Sequence, residues 1–422
     1  MSHISSLLEF IKKSPSPFHV IRKATEVLGN NGFEELKLAD TWRLQSGKAY
    51  MVSVYDSTLI AFTIGAEPCA SLRLAAAHTD FPCLRIKPNP DLTVHGYRKV
   101  NVEVYGGMIR ESWLDRPLSA AGKLTLCGSD AFQPRPMLID IGKPFLTIPR
   151  LAIHMNPKTN DGLSLNPQKE MLPLMGTGHD ESDFLTFMSG CCGIPKEEIV
   201  SYDLTVYPTE HGTCTGCNDE FLSSPRLDNL TSVKACLEAI SSRRHREGIR
   251  LVALFDNEEV GNHTKQGAAS SLLPELLQRI YLNLGFTYED YMACHSRGFL
   301  LSLDVAHGMH PNYPEKNDIT NFPLLNGGPV LKTACSQRYA GDAEAAAVII
   351  ALCRREGIPL QYFVNRSDMS GGSTLGSVLS AHLAMRAMDV GVPVLAMHSA
   401  RELMGGADQT SLEKLTTAFL QS

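Results

Sequence analysis

The order of apolar and polar positions divides the chain into three stretches. Near the start, SLLEFIKKS and HVIRKATEVLGNNG carry apolar residues at helical spacing, and Gly32 closes the second segment. The run SLRLAAAH (residues 71–78) is continuously apolar, as expected of a strand buried on both faces of a parallel sheet. Between about residues 92 and 222 the texture changes: KVNVEVYGGMI, GKLTLCG and VSYDLTVYPTE alternate and are separated by Gly, Pro and Asn turns. From SPRLDNLTSVKACLEAISS onward, strand-like and helix-like segments alternate to the end. The pattern predicts an α/β fold with a mixed, mostly parallel sheet flanked by helices. That unit would comprise residues 1–91 and 223–422, interrupted by an inserted β-rich domain at 92–222.

Chemistry concentrates where apolar runs stop. The segment LVALFDNEEVGNHT (residues 251–264) passes from buried-strand character straight into Asp256, Asn257, Glu258 and Glu259. Two adjacent carboxylates at the mouth of a buried strand repel each other, and burial penalises both charges. A metal ion would relieve this, with one glutamate as ligand and its neighbour taking a proton from a bound water. The alternative is a solvated acidic loop. Three further runs end in the same chemistry: SLRLAAAH in His78, with Asp80 beyond it, GFLLSLDVAH in Asp304, and VPVLAMHSARE in His398. In open α/β sheets sites form beyond the carboxyl ends of strands, so one fold would gather all four. Asp228, in SPRLDNL before a helix-like segment, is a fifth candidate, although a helix cap would explain it alone. Two imidazoles and three carboxylates suit zinc, with manganese or cobalt as alternatives, and exceed what one open catalytic ion needs. They match two ions sharing a bridging carboxylate. Asp80 is placed to orient His78.

Composition narrows the partners. The chain has 422 residues, 43% hydrophobic and 20% charged, with a net charge of −6, which argues against a nucleic-acid or anionic-membrane partner. No apolar run reaches membrane-spanning length, and the amphipathic start lacks a signal-peptide pattern. Eleven scattered cysteines predict reduced thiols and a cytoplasmic setting. Cys214 and Cys217 form a CxxC near His211 but lack further ligands, and the basic stretch at residues 241–248 reads as a helix end.

The segments AAAHTDFPCLRIKP, SPRLDNL, DNEEVGN, LDVAHGMHPNY, GPVLKTACSQRY and DVGVPVLAMHSARE, with SPSPFHV and IPRLAIHMN, resemble those of the aspartyl aminopeptidase family of di-zinc metallopeptidases. The resemblance covers nearly the whole chain in the family's order. It implies two zinc ions per subunit, one held by His78 and Asp304, the other by Glu259 and His398, with Asp228 bridging. Glu258 would be the general base and Asp80 would support His78. Lys332 would favour an acidic first residue in the substrate; otherwise it is a solvated surface lysine. His154 would reach a neighbouring subunit's active site; otherwise it is a buried strand histidine. His307 or His310 would steady the tetrahedral oxyanion or serve structural hydrogen bonds. The implied partners are a peptide with a free N-terminus and further copies of the chain, in a tetrahedral dodecamer assembled through the β-rich insertion. Phe81 replaces a small polar residue, and Ser370 and Gly371 stand where Pro and Cys are common; both bear on substrate preference. A di-zinc amidohydrolase acting on another small amide is the competing enzyme reading. A silent scaffold would lack a ligand or the base, and none is missing.

Overall fold

The computed structural model describes residues 3–178, 183–242 and 245–422. Its main sheet has nine strands, and the four at its centre are parallel: Ile249–Phe255, Leu72–His78, Phe299–Leu303 and Arg386–Gly391, in that spatial order. Antiparallel strands flank them, Thr58–Ile64 on one side and Val330–Thr333 on the other. The sheet is mixed and mostly parallel, as the apolar runs predict.

Successive strand residues point to opposite faces, so each run feeds two cores. Ala75, Ala77, Val252, Leu254, Leu301 and Leu303 pack under the helices Leu227–Ser241, Ala343–Glu356 and Gly406–Gln421. Leu74, Ala76, Leu251, Ala253 and Leu300 pack on the other side against Leu272–Asn283, Tyr288–Ser296 and Leu375–Leu383. Local signals set the helix limits. The helix Ala343–Glu356 starts at Asp342, whose carboxylate accepts the Ala345 N–H at 2.7 Å, and stops at Gly357 in the left-handed region. The helix Leu227–Ser241 ends within the basic stretch of residues 241–248, of which Arg243 and Arg244 lie outside the described residues.

A second sheet of six strands runs from Cys83–Val94 to Ile199–Pro208. It therefore starts ahead of residue 92 and ends before 222. The cause is local: Pro88 and Pro90 mark a turn in the sequence, yet here they occupy an irregularity in the pairing between Ile86 and Asp91, and the strand continues through it. Thr213–Thr215 and Phe221–Ser224 join a third, five-stranded sheet with Glu402–Gly405, Pro393–Leu395 and Ala306–His307. This small sheet connects the ends of two main-sheet strands. Among the described residues no helix is long and apolar enough to cross a membrane. All eleven cysteines are free thiols.

Candidate metal centre

Three strands of the main sheet deliver candidate ligands at one edge. His78 ends its strand opposite Phe255. Asp304 follows Phe299–Leu303, its N–H bonded to Val390 O at 3.1 Å. Gly391 makes that approach possible, since a Cβ there would lie 1.7 Å from Asp304 O. Glu258 and Glu259 sit in a single 3₁₀ turn, Glu258–Val260, entered through Asn257 at φ 64°. Consecutive residues of such a turn diverge by roughly 120°, which is why neighbouring glutamates face different partners. His398 departs from expectation. The chain leaves the main sheet at Gly391, and His398 lies in the turn between Pro393–Leu395 and Glu402–Gly405 of the small sheet. Asp228 lies in the first turn of the Leu227–Ser241 helix with non-helical dihedrals; its carboxylate points at the imidazoles and caps nothing.

The contacts form two sets that share Asp228. His78 Nε2 lies 3.3 Å from Asp228 Oδ1 and 3.5 Å from Asp304 Oδ1. His398 Nε2 lies 3.3 Å from Asp228 Oδ2 and 3.6 Å from Glu259 Oε2. Donors at roughly 2.0–2.1 Å from a tetrahedral zinc stand about 3.3 Å apart, so these spacings suit atoms that share an ion. Two buried oxygens, Asp228 Oδ1 and Glu259 Oε1, have no hydrogen-bond partner among the described residues. Such an atom costs about 1–3 kcal/mol unless something satisfies it, and for a carboxylate oxygen a cation does so. The residues therefore fit a zinc ion.

Electrostatics tell the same story. Burial, then the charge of Asp228, pushes Glu259 well above the usual carboxylate range. Burial raises Glu258 to about 8; the charge of His78 pulls it down, and those of Asp304, Asp80 and Asp228 add to the rise. Burial works against a charged His398, yet Asp228 and Glu259 raise it to about 10. His78 is likewise raised by Asp228, Asp304 and Asp80 against the cost of its burial. So many acids crowd one place that the protein's own cations only partly neutralise them.

A hydrogen-bonded frame holds this cluster. Asp80 supports His78 through its backbone: the carbonyl faces His78 Nδ1 at 3.0 Å. Its carboxylate accepts the N–H groups of Glu258 and Glu259, both at 3.1 Å. Tyr105, from the second sheet, donates its hydroxyl to Asp80 Oδ2 at 2.6 Å and accepts from Asn257 Nδ2 at 2.9 Å. The other ring nitrogen of His398 faces Gly107 O at 3.1 Å, which leaves Nε2 toward the acids. Glu402 accepts the N–H of Asp228 at 3.0 Å and of His398 at 2.9 Å, tying two candidate ligands from distant segments. Burial raises Glu402 to about 8, with Asp228 adding to it. Sequence reasoning missed Tyr105, Asn257, Gly107 and Glu402. The available signals were a tyrosine at the end of an alternating strand and an acid beginning an apolar one, and neither is specific. Tyr105→Phe is expected to lower kcat roughly ten-fold with KM and zinc content kept, because one charge-assisted hydrogen bond to Asp80 is lost. Steady-state kinetics with metal analysis checks this; an unchanged kcat would show that the hydroxyl does not steady the glutamate turn.

A cleft of about 290 Å³ opens beside the cluster, lined by Glu258, His307, Lys332, Tyr339, Ser373 and Met397 among others. Lys332 is no surface lysine. It is buried in the strand Val330–Thr333, with Nζ 2.8 Å from Val305 O, 3.4 Å from Asp304 Oδ2 and 4.8 Å above the Tyr339 ring. His307 stands at the cleft wall, open to solvent on the cleft side; the protein packed around it and then Lys332 lower its pKa. His310 lines an adjoining pocket. His154 lies in an exposed turn, away from its own subunit's cleft, and is not the buried strand histidine that was the alternative.

A buried cluster of carboxylates and imidazoles at the carboxyl edge of an α/β sheet, beside an open cleft, is the site of a metal-dependent hydrolase. Residues 10–420 match the family model "Aminopeptidase I zinc metalloprotease (M18)". The chain is 43% identical over 411 residues to the probable M18 family aminopeptidase 2 of Clostridium novyi, covering 96% of this chain and 95% of the relative. It is 39% identical over 424 residues to the protein of the same name from Pseudomonas aeruginosa, covering 99% and 97%. Its fold is similar to a chain of the cryo-EM structure of the Ape4 and Nbr1 complex, with TM-score 0.96, 33% identity and coverage of 99% of this chain and 85% of that one. The S. cerevisiae mApe1 dodecamer superposes with TM-score 0.85, 26% identity and coverage of 99% and 95%. The chain belongs to the M18 aminopeptidase family, and it is a zinc metallo-aminopeptidase.

Proposed function

We propose that the protein removes the first residue of peptides, preferably Asp or Glu, at a centre of two zinc ions per subunit. The observation that carries this is Asp228, with one carboxylate oxygen 3.3 Å from each of two imidazoles that otherwise keep separate acidic partners. His78, Asp304 and one oxygen of Asp228 would hold one ion. His398, Glu259 and the other oxygen would hold the second, and manganese or cobalt is the alternative metal. Bound zinc supplies Lewis acidity and lowers the pKa of a coordinated water.

The protein's own groups do the rest. Four carboxylates line the cleft, Asp228, Glu258, Glu259 and Asp304, and the ions would offset the charge of the three that hold them. Glu258 is the one among them outside both contact sets, so it is the group left to act as base. It takes a proton as water attacks the carbonyl after the first residue and returns it to the departing amine nitrogen. Asp80 keeps the amides of both glutamates fixed, so the base and the ligand beside it move little. Lys332 and Tyr339 form the wall where an acidic first side chain would lie, and His307 stands ready to donate to the developing oxyanion.

We further infer a cytoplasmic homo-oligomer, a tetrahedral dodecamer, assembled through the inserted β-rich unit. Leu151, Ile153 and Met155 are exposed around His154. An apolar exposed turn of this kind is suited to burial against a second copy, where His154 would enter the partner's cleft.

Chelation followed by zinc return tests the reading. Hydrolysis of glutamyl-, aspartyl- and leucyl-nitroanilides is expected to vanish on metal removal and recover with zinc, with the acidic substrates preferred. Activity persisting in metal-free protein would overturn the zinc reading. In Lys332→Ala the ratio of glutamyl to leucyl kcat/KM is expected to fall roughly ten-fold or more, the worth of a charge-assisted hydrogen bond. An equal loss on both would remove Lys332 from selectivity.

A further inference from the structure

The catalytic cleft is not the larger opening at this edge. An adjoining pocket of about 520 Å³ shares His307 and Gly372 with it, so the two lie side by side. That volume lies within the range of small-ligand sites. The pockets differ in charge. Four carboxylates line the catalytic cleft, whereas no acidic side chain lines the second pocket, which carries Lys316 and Arg366. Arg366 is neutralised by Asp368, with Nε–Oδ1 2.6 Å and Nη2–Oδ2 2.9 Å. The Lys316 ammonium makes no hydrogen bond or close ion pair among the described residues, although its charge reaches the Asp368 carboxylate that Arg366 already holds; its backbone N–H bonds Tyr313 O at 3.0 Å and it ends the exposed turn Pro314–Lys316. Apolar surface completes the pocket: Phe363, whose ring lies 5.8 Å from that of His307, with Tyr313 and Met369.

We propose that this second pocket binds the part of the substrate beyond the cleaved bond, and that Lys316 receives the terminal carboxylate of a short peptide. The inference rests on the aminopeptidase reading. A peptide two or three residues long is a dipole with an ammonium at one end and a carboxylate at the other. The catalytic cleft receives the amino end at the metal centre, and the pocket next to it, with no acidic side chain in its lining, offers Lys316 to the carboxylate. Phe363 and Met369 offer apolar area to the side chains that follow the first. The enzyme is thereby biased toward short peptides with a free carboxyl terminus, the products that endoproteolysis of longer chains supplies.

The test compares glutamyl-alanyl-phenylalanine with its C-terminal amide, using the intact zinc-loaded enzyme. The free acid is expected to have a roughly five-fold higher kcat/KM, carried by KM, which is the upper range for a solvent-accessible ion pair, and added salt should shrink the difference. Lys316→Ala should bring the acid-to-amide ratio to about one, and Lys316→Glu should invert it. Because the amide is the internal control, a folding defect lowers both substrates and leaves the ratio alone. A ratio near one in the unaltered enzyme, or one that survives Lys316→Ala, overturns the proposal. So does a Lys316→Ala protein that keeps the ratio but loses preference for glutamyl over leucyl substrates, since the pocket would then take the first side chain. Failure to cleave either tripeptide would sink the parent reading instead.

Discussion

A Glu258→Gln protein is expected to fold, bind zinc at the level of the unaltered enzyme and lose roughly a thousand-fold in kcat, a typical worth for a general base. The substitution keeps the size of the side chain and removes only its ability to take a proton. It touches neither contact set, because His78 answers to Asp228 and Asp304, and His398 to Asp228 and Glu259. Nor does it disturb the backbone, since the Glu258 N–H stays bonded to Asp80 Oδ1. The metal-free protein should be no less stable than the parent. Burial and neighbouring carboxylates already penalise a charged Glu258, and a neutral amide escapes that penalty. Elemental analysis, thermal unfolding without zinc and steady-state kinetics on glutamyl-nitroanilide together check this. Retention of more than a tenth of the parent kcat, with zinc in place, would transfer the role of base to another group.

How far the chain announces this arrangement depends on whether a residue acts locally. The main sheet is legible because three of its four central strands are mainly apolar runs fed on both faces, a pattern with little other use; the fourth, Arg386–Gly391, carries Arg386 and Asp389 and lacks that pattern. His78, Asp304 and the glutamate pair are legible because they sit at the ends of those runs. His398 follows an apolar run too, but that run crosses from one sheet to another at Gly391, and nothing in VGVPVLAMH marks the change. Without the resemblance, nothing local separates Lys332 from a surface lysine, because a cation within a short strand has no local sign of the partner, Asp304, that the fold brings to it. Glu402 and Tyr105 are invisible for a related reason. Each works by accepting or donating hydrogen bonds to groups far away in sequence, and Glu402 joins residues 228 and 398. Such bonds exist only once the sheets have packed. The early start of the second sheet was hidden by Pro88 and Pro90, whose usual meaning is a turn.

Asp228→Asn is the substitution expected to do the most damage to metal binding. Asparagine has nearly the same shape, so the N–H to Glu402 and the start of the helix survive. What disappears is a negative charge shared by both halves of the centre. Asp228 is held well below the ordinary carboxylate range, against the cost of its burial, by His398 and His78. With an amide there, each set keeps one imidazole and one carboxylate, His78 with Asp304 and His398 with Glu259. Two donors are fewer than a closed or catalytic zinc site uses. Zinc content should therefore fall from about two per subunit toward zero, and activity by more than about a thousand-fold, with loss of stability wherever zinc binding had added to folding. The contrast with one-sided variants makes the result specific. Asp304→Asn and Glu259→Gln each remove a donor from one set and should leave about one ion per subunit, held in the other set. Titration of metal-free protein with zinc, read by calorimetric stoichiometry, separates these cases. If Asp228→Asn still binds two ions, or if a one-sided variant loses both, then the centre is not divided at Asp228.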